Sequence, residues 1–199
     1  MNKAMFFLMI LLALLDGTAP FIFYFLEIPF GIISMKDPET LANNCWQMAF
    51  HVHIIFASIA LIVGWLQFVD KIRRKYLNLH RANGFVYAIA SIIAANSALL
   101  ISFYANGGDI AFMGFVLLSL IWFCTTILGF WSAKDGDILV HKKMMIYSYA
   151  ACFSGVTLRV WLPMLSLLFE DFNTAYAIAS WLCWLPNIII ASRIIKKIK

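Results

Sequence analysis

The chain has 199 residues, of which 63% are hydrophobic and 13% are charged, and its formal net charge is +5. A soluble domain is about half apolar and about a quarter charged, so this composition excludes a water-soluble globule. A membrane span needs about 20 apolar residues, and the length therefore allows six crossings with short loops. The composition predicts an all-α protein, a single polytopic transmembrane helix bundle over residues 1–199. The positive charges lie between apolar runs, which favours topology signals over nucleic-acid binding.

Six apolar segments follow one another along the chain. They cover residues of about 4–26, 47–69, 82–104, 110–132, 143–167 and 174–195. Alternate loops carry nearly all of the cations outside these segments, with thirteen on one side and Lys36 alone on the other. The thirteen are Lys3, Lys71, Arg73, Arg74, Lys75, Arg81, Lys134, Lys142, Lys143, Arg193, Lys196, Lys197 and Lys199. Because positively charged loops stay in the cytoplasm, this bias predicts that both termini are cytoplasmic.

The first segment has two interpretations. Lys3 followed by an apolar run resembles a signal peptide, although no clear cleavage site follows it. Apolar residues continue as far as Leu26, which favours a retained helix that is kinked or broken around Asp16, Gly17 and Pro20. Cleavage would leave five spans with the same loop orientation.

Small and polar residues recur at steps of three and four in two of the segments, as one face of a helix requires. In the fifth segment these are His141, Met145, Ser148, Cys152, Gly155 and Arg159. In the third they are His80, Gly84, Tyr87, Ser91, Ala94, Ala98 and Ser102. Polar groups in hydrocarbon face the bundle interior, and small residues allow close helix contact. We therefore expect both faces to be interior and to meet each other or a shared centre.

The second segment carries two histidines, His51 and His53, which project about 200° apart on a helix and cannot both point inward. The residues that share the face of His53 are Ala57, Ala60, Gly64 and Gln67. His51 shares its face with bulkier residues. The spacing therefore predicts that His53 is the buried histidine and that Gln67 is a polar group on the same face.

Depth in the membrane brings three further residues together. At about 1.5 Å of rise per residue, His53 and Arg159 both belong to the outer half of the bilayer, and Asp16 lies at a similar or slightly shallower depth. Asp16 can neutralise Arg159, so the sequence predicts an outer cluster of these three residues. The cluster is interpreted either as a substrate pocket or as an ion pair that only holds the bundle together.

The inner end has a second pair, because His80 and His141 each begin an outward-running helix. Tyr87 and Tyr149 lie about two turns above them. Two histidines on facing helices can supply both axial ligands of haem b, or part of a transition-metal site. The alternative is that both histidines contact lipid head groups. Gly114 stands at the helix-four position that matches His53, so an outer haem would need another ligand such as methionine.

Several short motifs follow one another in a recognisable order from about Phe50 to Pro163. They are His53 with Gly64 and Gln67, His80-Arg81 with Gly84 and Tyr87, Trp122 with Thr125 and Thr126, Gly136-Asp137, His141 with Met145, Ser148-Tyr149-Ala150, and Leu158-Arg159. In these the chain resembles a large bacterial family of predicted membrane proteins known as domain of unknown function 2306. The resemblance implies a multi-pass protein of the bacterial cytoplasmic (inner) membrane and supports His53 over His51, but it implies no reaction.

Three functions follow from these residues, all with the lipid bilayer as a partner. A redox or cofactor-binding protein that holds haem b or a metal ranks narrowly first, with a membrane redox partner or quinone as a candidate partner. A homodimer is a further candidate assembly, which a transporter with only six spans would need. A small-molecule or proton-coupled transporter that uses the Asp16, His53 and Arg159 pocket ranks second. A non-catalytic accessory or sensing protein is the third. No serine or cysteine lies beside a histidine in a nucleophile motif, which disfavours a hydrolase.

Overall fold

The computed structural model describes residues 3–26 and 33–198, and this part of the chain contains no strand. Six helical segments within it are long and apolar enough to cross a membrane. The six spans are Lys3–Phe25, Asn44–Phe68, Leu77–Ser102, Gly108–Lys134, Ile138–Leu168 and Phe172–Ile195. The prediction of an all-α bundle with six spans is confirmed. The predicted loop from Glu27 to Trp46 begins with residues 27–32, which lie outside the described residues.

The spans are built from α-helices that differ in continuity. Along the described chain the helices are α1 (Lys3–Phe25), α2 (Pro38–Ala42), α3 (Asn44–Gly64), α4 (Asp70–Lys75), α5 (Leu77–Ser102), α6 (Gly108–Lys134), α7 (Ile138–Cys152), α8 (Ser154–Leu168), α9 (Phe172–Leu182) and α10 (Leu185–Ile195). A 3-10 turn, Trp65–Phe68, extends α3 and completes the second span. The short helices α2 and α4 lie in loops.

The sequence predicts a retained first helix that is kinked or broken around Asp16, Gly17 and Pro20; the first span is one continuous helix, so it is not broken there. Proline lacks an N–H and deprives one carbonyl, four residues earlier, of its intrahelical donor. Gly17 packs directly on α3, where an added Cβ would lie 2.7 Å from the side chain of Ile62. The close contact of α1 with α3 is consistent with a helix that remains continuous through Pro20.

The fifth and sixth spans are each interrupted, whereas the sequence predicts two continuous segments. The fifth changes from α7 to α8 at Phe153, and the sixth changes from α9 to α10 at Cys183 and Trp184. Pro186 lies in the first turn of α10, where its missing N–H costs no hydrogen bond. At the start of α7, the side chain of Asp137 accepts a hydrogen bond from the backbone N–H of Val140.

Close helix contacts form the centre of the bundle. α3 packs most extensively against α5, and α6 against α7. Gly64 of α3 faces two aromatic rings, because an added Cβ would lie 2.5 Å from the ring of Tyr149 and 2.8 Å from that of Tyr87. Tyr87 and Tyr149 belong to the buried core together with Trp122. The face predicted for the third segment is thus interior at its centre.

The contact at Gly64 gives a first testable prediction. Gly64→Ala places a methyl group against two buried rings, and we expect the free energy of unfolding to fall by about 1–3 kcal/mol, the usual cost of overpacking. Gly155→Ala is the matched control, because a Cβ there meets its nearest atom at 3.6 Å, an ordinary contact. Thermal unfolding of the detergent-solubilised variants measures both. Equal melting temperatures would contradict the close packing at Gly64.

Candidate functional site

A cavity of about 610 Å³ lies at one end of the bundle. Its walls come mainly from α1, α3, α5, α6, α8 and α9, with Met35 and Lys36 from the loop that follows α1. The charge pattern predicts that this end faces the outside of the membrane, and on the basis of that prediction we call the space the outer cavity. Much of its wall is aromatic, with Phe23, Trp46, Phe50, Phe115, Trp122 and Phe172 among its lining residues.

His53 lies in the wall of the outer cavity. Its Nδ1 is 2.9 Å from the carbonyl oxygen of Ala94 on α5. Because a carbonyl only accepts hydrogen bonds, Nδ1 is the donor, and Nε2 of the neutral ring carries the lone pair. The bond to Ala94 fixes the orientation of the ring, so His53 offers a hydrogen-bond acceptor or a metal ligand at a defined position.

His51 lies in a different environment. Its Nδ1 donates to the carbonyl oxygen of Gln47, one turn earlier on the same helix, at 2.6 Å. Its ring centroid is 5.6 Å from that of Tyr24 and 5.8 Å from that of Phe50. His51 is not among the residues that line the outer cavity. The two histidines therefore have the separate surroundings that the helical-face argument predicts.

An ion pair joins the first and fifth spans beside the outer cavity. Nη1 of Arg159 donates to Oδ2 of Asp16 at 2.6 Å. The side chain of Asp16 is 10% exposed, whereas that of Arg159 is 48% exposed and also lines the cavity. A guanidinium has five N–H donors, so the bond to Asp16 leaves others for a ligand. Of the predicted outer cluster, Arg159 and His53 line one cavity and Asp16 pairs with the arginine.

Lys36 brings a second cation to the outer cavity from the loop after α1. Its ammonium group donates to the carbonyl oxygen of Tyr104, in the connection between α5 and α6. The side chain of Asn106 donates to the carbonyl oxygen of Met35 at 2.8 Å. Burial lowers the pKa of Lys36, and the neighbouring Asp37 carboxylate opposes this shift. These bonds hold the described part of the loop at the mouth of the cavity.

The two helix interruptions are joined to each other by side chains. Thr157 and Asn187 both donate to the carbonyl oxygen of Cys183, and the Asn187 bond measures 3.0 Å. Asn187 also lies 3.4 Å from the carbonyl oxygen of Ala150, just before the interruption in the fifth span. Carbonyls without an intrahelical donor need such partners in hydrocarbon. The interruptions are therefore satisfied within the protein.

The tyrosines predicted beside a cofactor take part in the packing of the bundle centre. The hydroxyl of Tyr87 is 2.8 Å from that of Ser148, which is 2.7 Å from that of Thr126. The hydroxyl of Tyr149 donates to the carbonyl oxygen of Leu61 at 3.3 Å. These bonds connect the second, third, fourth and fifth spans. Structural hydrogen bonding accounts for both tyrosines without a bound group.

The other predicted histidines lie at the opposite end of the bundle from the outer cavity. His80 precedes Ala94, the partner of His53, by fourteen residues of α5, a rise of about 21 Å. His141 lies near the start of α7, at the same end of the bundle. Nδ1 of His141 donates to the carbonyl oxygen of Gly129 at 2.8 Å, and Nδ1 of His80 is buried without a hydrogen-bond partner.

Gln67 also lies at this inner end, away from the outer cavity, and its side-chain amide donates to the carbonyl oxygen of His80 at 3.3 Å. Among residues 3–26 and 33–198, no group of three or more His, Cys, Asp or Glu side chains is placed to hold a metal ion. The structure therefore places the four candidate residues His53, Arg159, His80 and His141 in two separate pairs rather than around one shared centre.

A family model described as "Predicted membrane protein (DUF2306)" matches residues 50–195 of the chain. The chain belongs to this family. No curated protein and no solved structure matches it. The match to the DUF2306 family extends beyond the region of resemblance that ends at about Pro163, and it includes the interrupted sixth span.

In this DUF2306 member, Lys36 was not predicted from the sequence as a residue of the outer cavity, and neither Thr157 nor Asn187 was predicted as a partner of the helix interruptions. Thr157 and Asn187 have polar side chains in apolar segments, a signal that carries little weight because such residues also bond to their own helix. Pro186 was a stronger sequence signal for the interruption of the sixth span, since a proline in the middle of a predicted span marks a helix boundary. Lys36 is the single cation on the outer side of the predicted topology, and that isolation could have singled it out.

The ion pair gives a second prediction for this DUF2306 member. Asp16→Ala should destabilise the wild-type protein more than it destabilises a protein that already carries Arg159→Ala. In the wild-type background the substitution leaves an unpaired guanidinium in a membrane span. We expect a coupling free energy of about 0.5–3 kcal/mol in a double-mutant cycle of thermal unfolding. The exposed pair of Asp70 and Arg73 is the control and should couple more weakly. Additive effects of the Asp16 and Arg159 changes would contradict the pairing.

Proposed function

We propose that this protein is a transport protein of the cytoplasmic membrane that takes an amphipathic small molecule into the outer cavity. The observation that carries the proposal is the cavity itself. Its volume of about 610 Å³ lies within the range of about 300–1,000 Å³ typical of small-molecule sites. Its apolar walls with a few polar groups, His53, Arg159 and Lys36, have the composition of such sites.

The helix interruptions favour transport over simple binding. Transporters commonly form their substrate sites from discontinuous membrane helices, near the level where the helices are broken. Here Cys152, Ser154 and Cys183, which flank or occupy the two interruptions, all line the outer cavity. The ligand would therefore contact the points at which the fifth and sixth spans are able to bend.

Filling the cavity gives a third prediction. Ala98 lines the outer cavity from α5, and Ala98→Phe should occupy the space that a ligand needs. In nanodiscs, a diazirine-bearing hexadecanol should label cavity residues such as Ala57 in the wild-type protein. We expect this labelling to fall by about tenfold or more in Ala98→Phe, because the new ring clashes with the ligand. Mass mapping of the labelled peptides measures it.

Ala82→Phe is the matched control, because Ala82 is an exposed residue of the same helix, α5. It should leave cavity labelling unchanged. Uptake of the same alcohol, in tritiated form, into proteoliposomes tests the transport step and should fall in Ala98→Phe but not in Ala82→Phe. Labelling confined to the lipid-facing surface in the wild-type protein would overturn the proposal.

A second candidate function is redox chemistry with haem b at the inner end, and one observation favours it. His141 donates from Nδ1 to the carbonyl oxygen of Gly129. Histidines that ligate a metal through Nε2 commonly make such a bond through the other ring nitrogen. His80 lies at the same end of the bundle and has a buried ring nitrogen, Nδ1, without a hydrogen-bond partner.

Haemin titration provides a fourth prediction, which belongs to this second function. If His80 and His141 are axial ligands, the purified protein should develop the Soret band of a low-spin, six-coordinate haem. His80→Ala and His141→Ala should each abolish that spectrum, because one axial ligand is lost. His51→Ala is the control, since His51 bonds within its own helix, and it should leave the spectrum intact. A wild-type protein that stays colourless with haemin would remove this candidate.

A further inference from the structure

The polar groups of the outer cavity differ in what they can offer a ligand. Three serine hydroxyls line it, and each donates to a carbonyl oxygen of the preceding helical turn at a distance between 2.5 and 2.8 Å. The three bonds are those of Ser102 to Leu99, Ser119 to Phe115 and Ser154 to Ala151. A hydroxyl carries one hydrogen, so these serines keep only lone pairs for a ligand.

The two cations are the strongest donors that line the outer cavity, beside the indole N–H of Trp122, which is buried without a hydrogen-bond partner. Arg159 uses Nη1 for Asp16 and has further N–H groups, and Lys36 has two more ammonium hydrogens besides the one given to Tyr104. No carboxylate is found among the described residues that line the outer cavity. Asp16 neutralises one of the two cations, so these three charged groups leave the cavity with an excess of one positive charge.

The outer cavity also contains a side-chain acceptor, His53. Nε2 of His53 carries a lone pair because Nδ1 is committed to Ala94. A lone pair repels an anionic oxygen, so the anion of a ligand would lie towards Arg159 and Lys36. The apolar remainder of the ligand would lie against the aromatic walls.

From these contacts we propose that the ligand of the outer cavity is a single-chain amphiphile with an anionic carboxylate or phosphate head group. This inference rests on the proposed function and specifies its substrate class. Arg159 binds the head group through the N–H donors that Asp16 leaves, as a planar guanidinium binds carboxylates and phosphates. Lys36 closes the mouth of the cavity over the head group and supplies the second positive charge.

Asp16 acts in this proposal as an internal competitor. Its carboxylate occupies one donor of Arg159 and reduces the positive charge that the ligand meets. Removing that negative charge, as in Asp16→Asn, should strengthen the binding of an anion. A purely structural ion pair predicts the opposite, since its loss would disturb the cavity and weaken all binding.

The fifth prediction tests the substrate class with 11-(dansylamino)undecanoic acid and its methyl ester, each titrated into nanodiscs of phosphatidylcholine. Energy transfer from Trp46 and Trp122, which line the cavity, reports binding. The acid should bind the wild-type protein about tenfold more tightly than the ester, the effect of one charge-assisted hydrogen bond. Arg159→Gln and Lys36→Gln should each remove much of this difference, and Asp16→Asn should increase it. Competition with laurate and with dodecyl phosphate distinguishes the two head groups.

Arg193→Gln is the control, because Arg193 is an exposed arginine at the far end of α10, and it should leave both affinities unchanged. Arg159→Lys keeps a charge beside Asp16 and should retain part of the preference for the acid if Arg159→Gln fails to fold. Equal binding of acid and ester, unaffected by Asp16→Asn, would overturn the anionic class while the proposed function stands. Absence of cavity labelling by the neutral alcohol in the wild-type protein, described above, is the separate result that would overturn the proposed function.

Discussion

A guanidinium within a membrane span needs a partner, and the carboxylate of Asp16 supplies it. An unpaired arginine at the centre of a membrane helix costs about 2.5–3.5 kcal/mol on insertion scales. The pair connects α1 to α8, and it holds Arg159 at the wall of the outer cavity. The region that matches the DUF2306 family contributes the arginine and most of the cavity, whereas its counter-ion comes from the first span, outside residues 50–195. The cavity therefore depends on a helix that the family model does not cover.

The centre of the bundle separates the two ends of the molecule. Tyr87, Ser148 and Thr126 form a chain of hydroxyl groups, and Thr126 also donates to the carbonyl oxygen of Trp122 at 2.7 Å. Trp122 in turn lines the outer cavity, so this network lies beneath the cavity floor. Buried hydroxyl groups that are paired with one another make a core rigid, although the indole N–H of Trp122 beside them has no hydrogen-bond partner. A ligand bound at His53 and a group bound at the inner end would thus contact no side chain in common.

The sequence predicted features that depend on periodicity and charge. Steps of three and four placed Tyr87 and Ser148 on interior faces, because the helical period fixes which residues share a side. The estimated depth in the membrane was the only sequence signal that placed Asp16 near Arg159. The outer cavity was not predictable, since it forms where side chains from several distant helices fail to meet. The sequence also placed His53 in the outer half and His80 at the inner end, and the fourteen residues of α5 between His80 and Ala94, the partner of His53, correspond to about 21 Å.

The helix interruptions show how a membrane protein can bend a span without leaving its backbone unsatisfied. Two carbonyl oxygens, those of Ala150 and Cys183, accept hydrogen bonds from the single side-chain amide of Asn187. Thr157 donates to the second of them from the opposite span. Because one amide serves both interruptions, the fifth and sixth spans are held together at the level of the cavity. Any movement that opens the cavity between these spans must first break the bonds of Asn187, which couples the shape of the ligand site to the backbone of both helices.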